Sequence, residues 1–202
     1  MRPSRPSLAV PSVLLCLALL GAGCAAAGPP SPTRPDRTGD APAAAATTGA
    51  FSPTDVAWLQ LTVAMSERLL PVLDLVPART TDPAWRALAG RVEESQQADL
   101  IRSRGLLAES GAPATNPHEG HDMPGMITEA ELTALRAARG PTFDRLVARH
   151  LRAHLSQAVR IARAEQGSGA HPATTALAAT VVRDGSAELT RLDRLDPPKR
   201  AR

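Results

Sequence analysis

From residue 52 onward, apolar positions recur every three or four residues over long stretches, the spacing of one helix face rather than the alternation of a strand. Ser52-Pro53-Thr54-Asp55 offers an N-cap, a proline at the first helical position and an acid in the first turn. A first helix therefore begins there and runs to about Leu70, with Pro71 and Pro77 kinking or ending it. Asp82-Pro83 starts a second helix that Gly111 stops, and Thr128 with Glu131 makes a capping box for a short third ending near Gly140. Thr142 opens a fourth that ends at Gly167, and His171-Pro172 opens a last one reaching Leu195. The long helices come as two hairpins joined by a loop around 111–127 and the short helix. This predicts an all-α four-helix bundle over 53–197.

Polar residues interrupt the apolar stripes. Wound at about 100° per residue, the fourth helix gathers Arg145, Arg149, Arg152, Arg160 and Arg163 within about 80° of arc. Phe143, Val147, His154, Ala158 and Ile161 lie opposite, with His150 beside them, so His154 sits in mid-stripe. On the second helix Trp85, Leu88 and Val92 share a stripe with Gln96, Asp99 and Ser103; on the last, Glu188 falls among Leu177, Val181, Leu192 and Leu195. Met65 lies between Trp58, Leu69 and Val72 on the first and reads as packing. Polar groups aimed at a core are costly unless paired or coordinated. Gln96, Asp99, His154 and Glu188 are thus either metal ligands converging on one interior or hydrogen-bond partners of one another.

Composition narrows the fold. Of 202 residues 43% are hydrophobic but only 2% aromatic, with no Tyr, so the core is built from Ala, Leu and Val and a sandwich or barrel is excluded. Every base except Lys199 is Arg, which points to a compositional bias and lowers the weight of the formal +3 charge. Residues 53–197 hold 16 Arg against 18 Asp plus Glu, a net of −2, so no nucleic-acid partner is expected. Both cysteines, Cys16 and Cys24, precede the folded part, which leaves it without a disulfide or thiolate site.

The N-terminus reads as an export signal over 1–23: Arg2 and Arg5, an apolar run from Leu8 to Leu20, then small residues up to Cys24. Leu20-Gly21-Ala22-Gly23-Cys24 resembles a bacterial lipobox, with Gly21 where Leu or Val is usual, so Cys24 is the expected lipidation site. Residues 24–52, rich in Ala, Pro, Thr and Gly, form a flexible tether, and 198–202 a basic tail. The expected location is the extracytoplasmic side of the cell membrane, held by a lipid anchor; plain secretion is the alternative.

Between the hairpins runs His118-Glu119-Gly120-His121-Asp122-Met123-Pro124-Gly125-Met126, with two of the chain's four Met. Imidazoles suit Cu(II) and thioethers Cu(I), so His118, His121, Met123 and Met126 point to copper. Met123-Pro124-Gly125-Met126-Ile127-Thr128, Glu131-Leu132, Leu135, Gly140 and Phe143-Asp144 carry a resemblance, supported by Ala89, Val92, Gln96, Asp99 and Leu100 on the second helix. The chain resembles the bacterial domain of unknown function numbered 305 over about 53–195. That resemblance implies a ferritin-like bundle in exported or lipid-anchored proteins, and links to copper binding and metal tolerance. The family's paired histidines read here as Met65-Ser66 and His154-Leu155, and its glutamine on the last helix as Gly185. What carries over in the bundle is His154, Gln96, Asp99 and Glu188. The expected function is copper buffering or metal tolerance, and the alternative a metal-free structural or interaction lipoprotein. No enzyme is expected, because no long helix carries the Glu-x-x-His of di-iron oxidases and no nucleophile triad or phosphate loop stands out.

Overall fold

The computed structural model describes residues 49–113, 115 and 117–197. The export signal, Cys24, most of the tether and the basic tail lie outside the described residues. Within them the elements are α1 (Pro53–Leu73), α2 (Val76–Arg79), α3 (Pro83–Ser110), α4 (Glu129–Ala137), α5 (Gly140–Ser168) and α6 (Pro172–Leu195). Ser52 and Asp55 close a reciprocal capping box on α1, as Thr128 and Glu131 do on α4. The Asp82 side chain caps α3, which ends at Gly111 with φ at 71°.

Two boundaries differ from the sequence expectation. Pro71 does not stop α1, which runs on to Leu73, since a proline in the last turn forfeits a single hydrogen bond there. Pro77 instead sits in the first turn of α2. The fourth long helix opens at Gly140 rather than Thr142, because Pro141, with its φ already helical, takes the first turn.

End contacts fix the directions of the helices. Asp55 at the start of α1 accepts from the backbone N–H groups of Ala170 and His171, between α5 and α6. Beyond the far end of α1, Arg79 donates to the carbonyls of Arg136 and Ala138, just before α5. Each adjacent pair, α1–α3, α3–α6, α6–α5 and α5–α1, is therefore antiparallel. Parallel partners sit on the diagonals, and the chain between α3 and α5 must travel back along the whole bundle.

The core is in two parts with a polar layer between them. Leu69, Val72, Leu88, Val92, Phe143, Leu151 and Leu192 fill the end capped by α4, while Trp58, Leu59, Ala162, Leu177 and Ala178 fill the other. Ser66, Gln96, Asp99 and His154 lie between, and none is more than 7% exposed.

Candidate functional site

The polar layer is closed by hydrogen bonds. Gln96 Oε1 accepts from Ser66 Oγ at 2.9 Å and lies 3.1 Å from His154 Nε2. Since Oε1 can only accept, Nε2 carries the proton of the neutral ring. Burial pushes the His154 pKa down to about 4, with the Gly125 carbonyl opposing slightly. The ring is thus neutral, and a ligand would not have to displace a proton from it. Met65, Ser66, Gln96, Asp99 and His154 enclose a cavity of about 10 Å³, no larger than one water or one ion. Burial, then repulsion from Asp184, raises the Asp99 pKa to about 6.

Glu188 does not join this layer. Although 7% exposed, its Oε1 is held 2.8 Å from Arg191 Nη1 and 3.5 Å from Arg91 Nε, two cations that draw it to the rim of the bundle. Glu188 is thus held apart from Gln96, Asp99 and His154, with which it was expected to converge, and pairs with arginines instead. One turn before it, at Gly185, a Cβ would lie 2.8 Å from Val159 Cγ2, so α6 packs closely on α5 there and a larger side chain would have to displace that methyl.

The crossover loop lies over α1 and α5. Arg68 on α1 donates to the His121 carbonyl at 3.2 Å. Tight turns link His118 to His121 and Met123 to Met126. Gly125, at φ +83°, lies so close to α5 that a Cβ would fall 2.6 Å from Gln157 Cβ and 2.9 Å from the Ala153 carbonyl. Met126 is therefore buried against Ala64 and Met65, with Met123 packed alongside. The three methionines among the described residues thus meet here. The His118 and His121 rings stand edge to face at 6.3 Å, and burial followed by the His121 charge lowers the His118 pKa.

Sequence reading did not single out three members of this region. Met65 reads as filler from its stripe, and only the docking of the loop makes it the third thioether. His150 and Glu131 line an open pocket of about 320 Å³ with Asp122, Met123 and Met126. Arg149 donates to His150 Nε2, so Nδ1 carries the proton and points to Glu131 Oε1 at 3.6 Å. Among the described residues, no three or more His, Cys, Asp or Glu are placed to hold an ion together. Sulfur is the donor that the fold concentrates.

These features define an all-α bundle of two antiparallel hairpins whose one long crossover lays a His/Met loop on a buried polar layer. The chain belongs to the family of domain of unknown function DUF305, whose pattern matches residues 53–195. Its fold is similar to that of a DUF305 fragment from Deinococcus radiodurans, with a TM-score of 0.66, 22% identity, and coverage of 72% of this chain and 97% of that one. It is also similar to a DUF305 protein from Streptomyces coelicolor described as secreted, with a TM-score of 0.64, 20% identity, and coverage of 70% and 91%. No curated protein matches the sequence.

Proposed function

We propose that this protein is an extracytoplasmic copper-binding bundle, lipid-anchored through Cys24, that buffers the metal or confers tolerance rather than catalysing a reaction. The observation that carries the reading is the meeting of Met65, Met123 and Met126 against the bundle. Thioethers are poor ligands for Zn(II) or Mg(II) and good ones for Cu(I), so the donor set fits a soft ion. Neutral His154 stands next to Met65 across the small cavity, and His118 and His121 add imidazoles for Cu(II). Copper would be held by these residues, while Gln96 serves as a hydrogen-bond partner and Glu188 as an ion-pair partner. The export signal and a relative described as secreted support work outside the cytoplasm.

A second reading has its own support. The Ser66–Gln96–His154 network joins three of the layer's four polar side chains to one another, as a metal-free structural lipoprotein would require. Calorimetric titration of residues 43–202 with Cu(I) and with Cu(II) separates the two. Binding tighter than about 10 μM, lost for Cu(I) when Met65, Met123 and Met126 become Leu, supports the first. Heat no greater than that of dilution with either ion supports the second. Whether labelled palmitate enters the mature chain decides between anchoring and plain secretion.

A further inference from the structure

The exposed face of α5 is charged in an unusual way. Arg145, Arg149, Arg160 and Arg163 are all exposed and fall within one arc, spread over about 27 Å at 1.5 Å per residue. None of the four is ion-paired to a carboxylate among the described residues. Arg145 donates to Thr142, Arg149 to His150 and Arg160 to Gln157, all uncharged acceptors, and Glu131 is the carboxylate whose charge feels Arg149. Elsewhere Arg91 and Arg191 meet Glu188, Arg104 meets Glu67 and Arg183 meets Asp184, while Arg68, Arg79 and Arg86 donate to backbone carbonyls. In the middle of the face Arg152 pairs with Asp193 and Asp196. There Thr142, Arg145, Arg149, Arg152 and Ser156 line an open cleft of about 680 Å³, with Asp196, the partner of Arg152, as its one acid. Because residues 53–197 carry a net charge of −2, this face is a local asymmetry and not a share of a general basicity.

We propose that this arginine face is a docking surface for an anionic phospholipid membrane, on which the bundle lies with α5 against the headgroups. The choice of occupant rests on charge and on reach, and the reach rests on the tethered reading given above. Each arginine near an anionic bilayer adds only a modest gain, so four of them alone give about millimolar affinity. A tether changes that balance, since a short flexible linker supplies an effective concentration of about the same size. On the tethered reading, the 26 residues from 25 to 50 give a contour of at most about 90 Å, enough for the face to reach the surface that holds the anchor. An anchored chain therefore holds the bundle where a weak face is occupied much of the time. Docking in this way keeps the crossover loop, on the adjoining flank of α5, at the edge of the membrane.

The test uses residues 43–202, a compact unit with its core inside it and without Cys24. Cosedimentation with vesicles of phosphatidylglycerol or of phosphatidylcholine is measured from about 0.05 to about 0.3 M salt. Binding to phosphatidylglycerol alone, fading with salt, is the expected result. Changing Arg145, Arg149, Arg160 and Arg163 to Gln should weaken it at least about tenfold. Changing Arg86, Arg102, Arg183 and Arg194 to Gln removes the same charge from α3 and α6 and should leave most of it. Equal losses in the two variants, or no preference for phosphatidylglycerol, would overturn the proposal. So would displacement by inorganic phosphate well beyond that by chloride at equal ionic strength, which would mark a discrete phosphate site instead. Palmitate labelling of Cys24 is independent of all these outcomes, so failure of the anchor and failure of the face are told apart.

Discussion

At the scale of single residues, the most informative groups are those whose protonation the fold has altered. Glu165, at the end of α5, is 1% exposed, with the Asp55 carboxylate beside it. Burial, then a hydrogen bond to Asp55 and that residue's charge, push its pKa up to about 8. Burial works the other way on Asp55 than its partners do, and hydrogen bonds from Ser52, Glu165 and His171 prevail, holding it down to about 2. The pair thus shares one proton, and Glu165 keeps it. A raised folded-state pKa means stability that is full below the ordinary value of 4.5 and is lost as pH rises through about 8. The Asp55 contribution is present above 3.8 and is lost only as pH falls toward about 2. Melting temperature should therefore drop by at least about 5 °C between pH 5 and 9, and Glu165→Gln should flatten that slope. An equally steep slope in the variant, followed by calorimetry, would refute the shared proton. Gln96→Leu makes a second case: it strips Ser66 and His154 of their common acceptor and should cost about 1–3 kcal/mol in denaturant unfolding.

At the scale of elements, the crossover loop is held by one close approach, and glycine is required where it occurs. Gly120 and Gly125 both have positive φ, but a Cβ at Gly120 meets open space while one at Gly125 meets α5. Gly120→Ala should cost about 1–2 kcal/mol of backbone strain alone. Gly125→Ala adds a clash with Ala153 and Gln157, so it should cost more and raise hydrogen exchange over residues 121–127. Equal costs for the two would show that the loop is not seated as described. Replacing Met123 and Met126 by Leu retains apolar bulk, so stability should shift by less than about 1.5 kcal/mol. Under the copper reading, the same variant should lose Cu(I) affinity far more than Cu(II) affinity.

At the scale of the whole molecule, the apolar layers on both sides of the polar one make the fold independent of any ion. Small zinc modules need the metal to fold because they lack an apolar core of this size, whereas this bundle buries Leu59, Leu69, Leu88, Leu135 and Phe143. Circular dichroism of the chelator-treated domain should remain helical with a cooperative melt. Added copper should raise the melting temperature without creating helix. A mostly coil spectrum after chelation would sink this expectation.

The helices, their caps and the all-α class were legible in the chain because they depend on neighbours within one turn: Ser52 with Asp55, Thr128 with Glu131, Gly111 after α3. The burial of His154, Gln96 and Asp99 was legible too, since helical winding alone puts them on apolar stripes. Three other outcomes depended on residues far apart in sequence. Glu188 lies on an apolar stripe, yet Arg91 from another helix draws it to the rim. Met65 acquires sulfur neighbours only because Gly125 lets the crossover press against α5. Glu165 looks like any charged helix end until the antiparallel return brings Asp55 against it across 110 residues. Periodicity determines which side of a helix faces inward, a local property of the chain. What it faces there is set by packing between helices, and only the tertiary structure decides it.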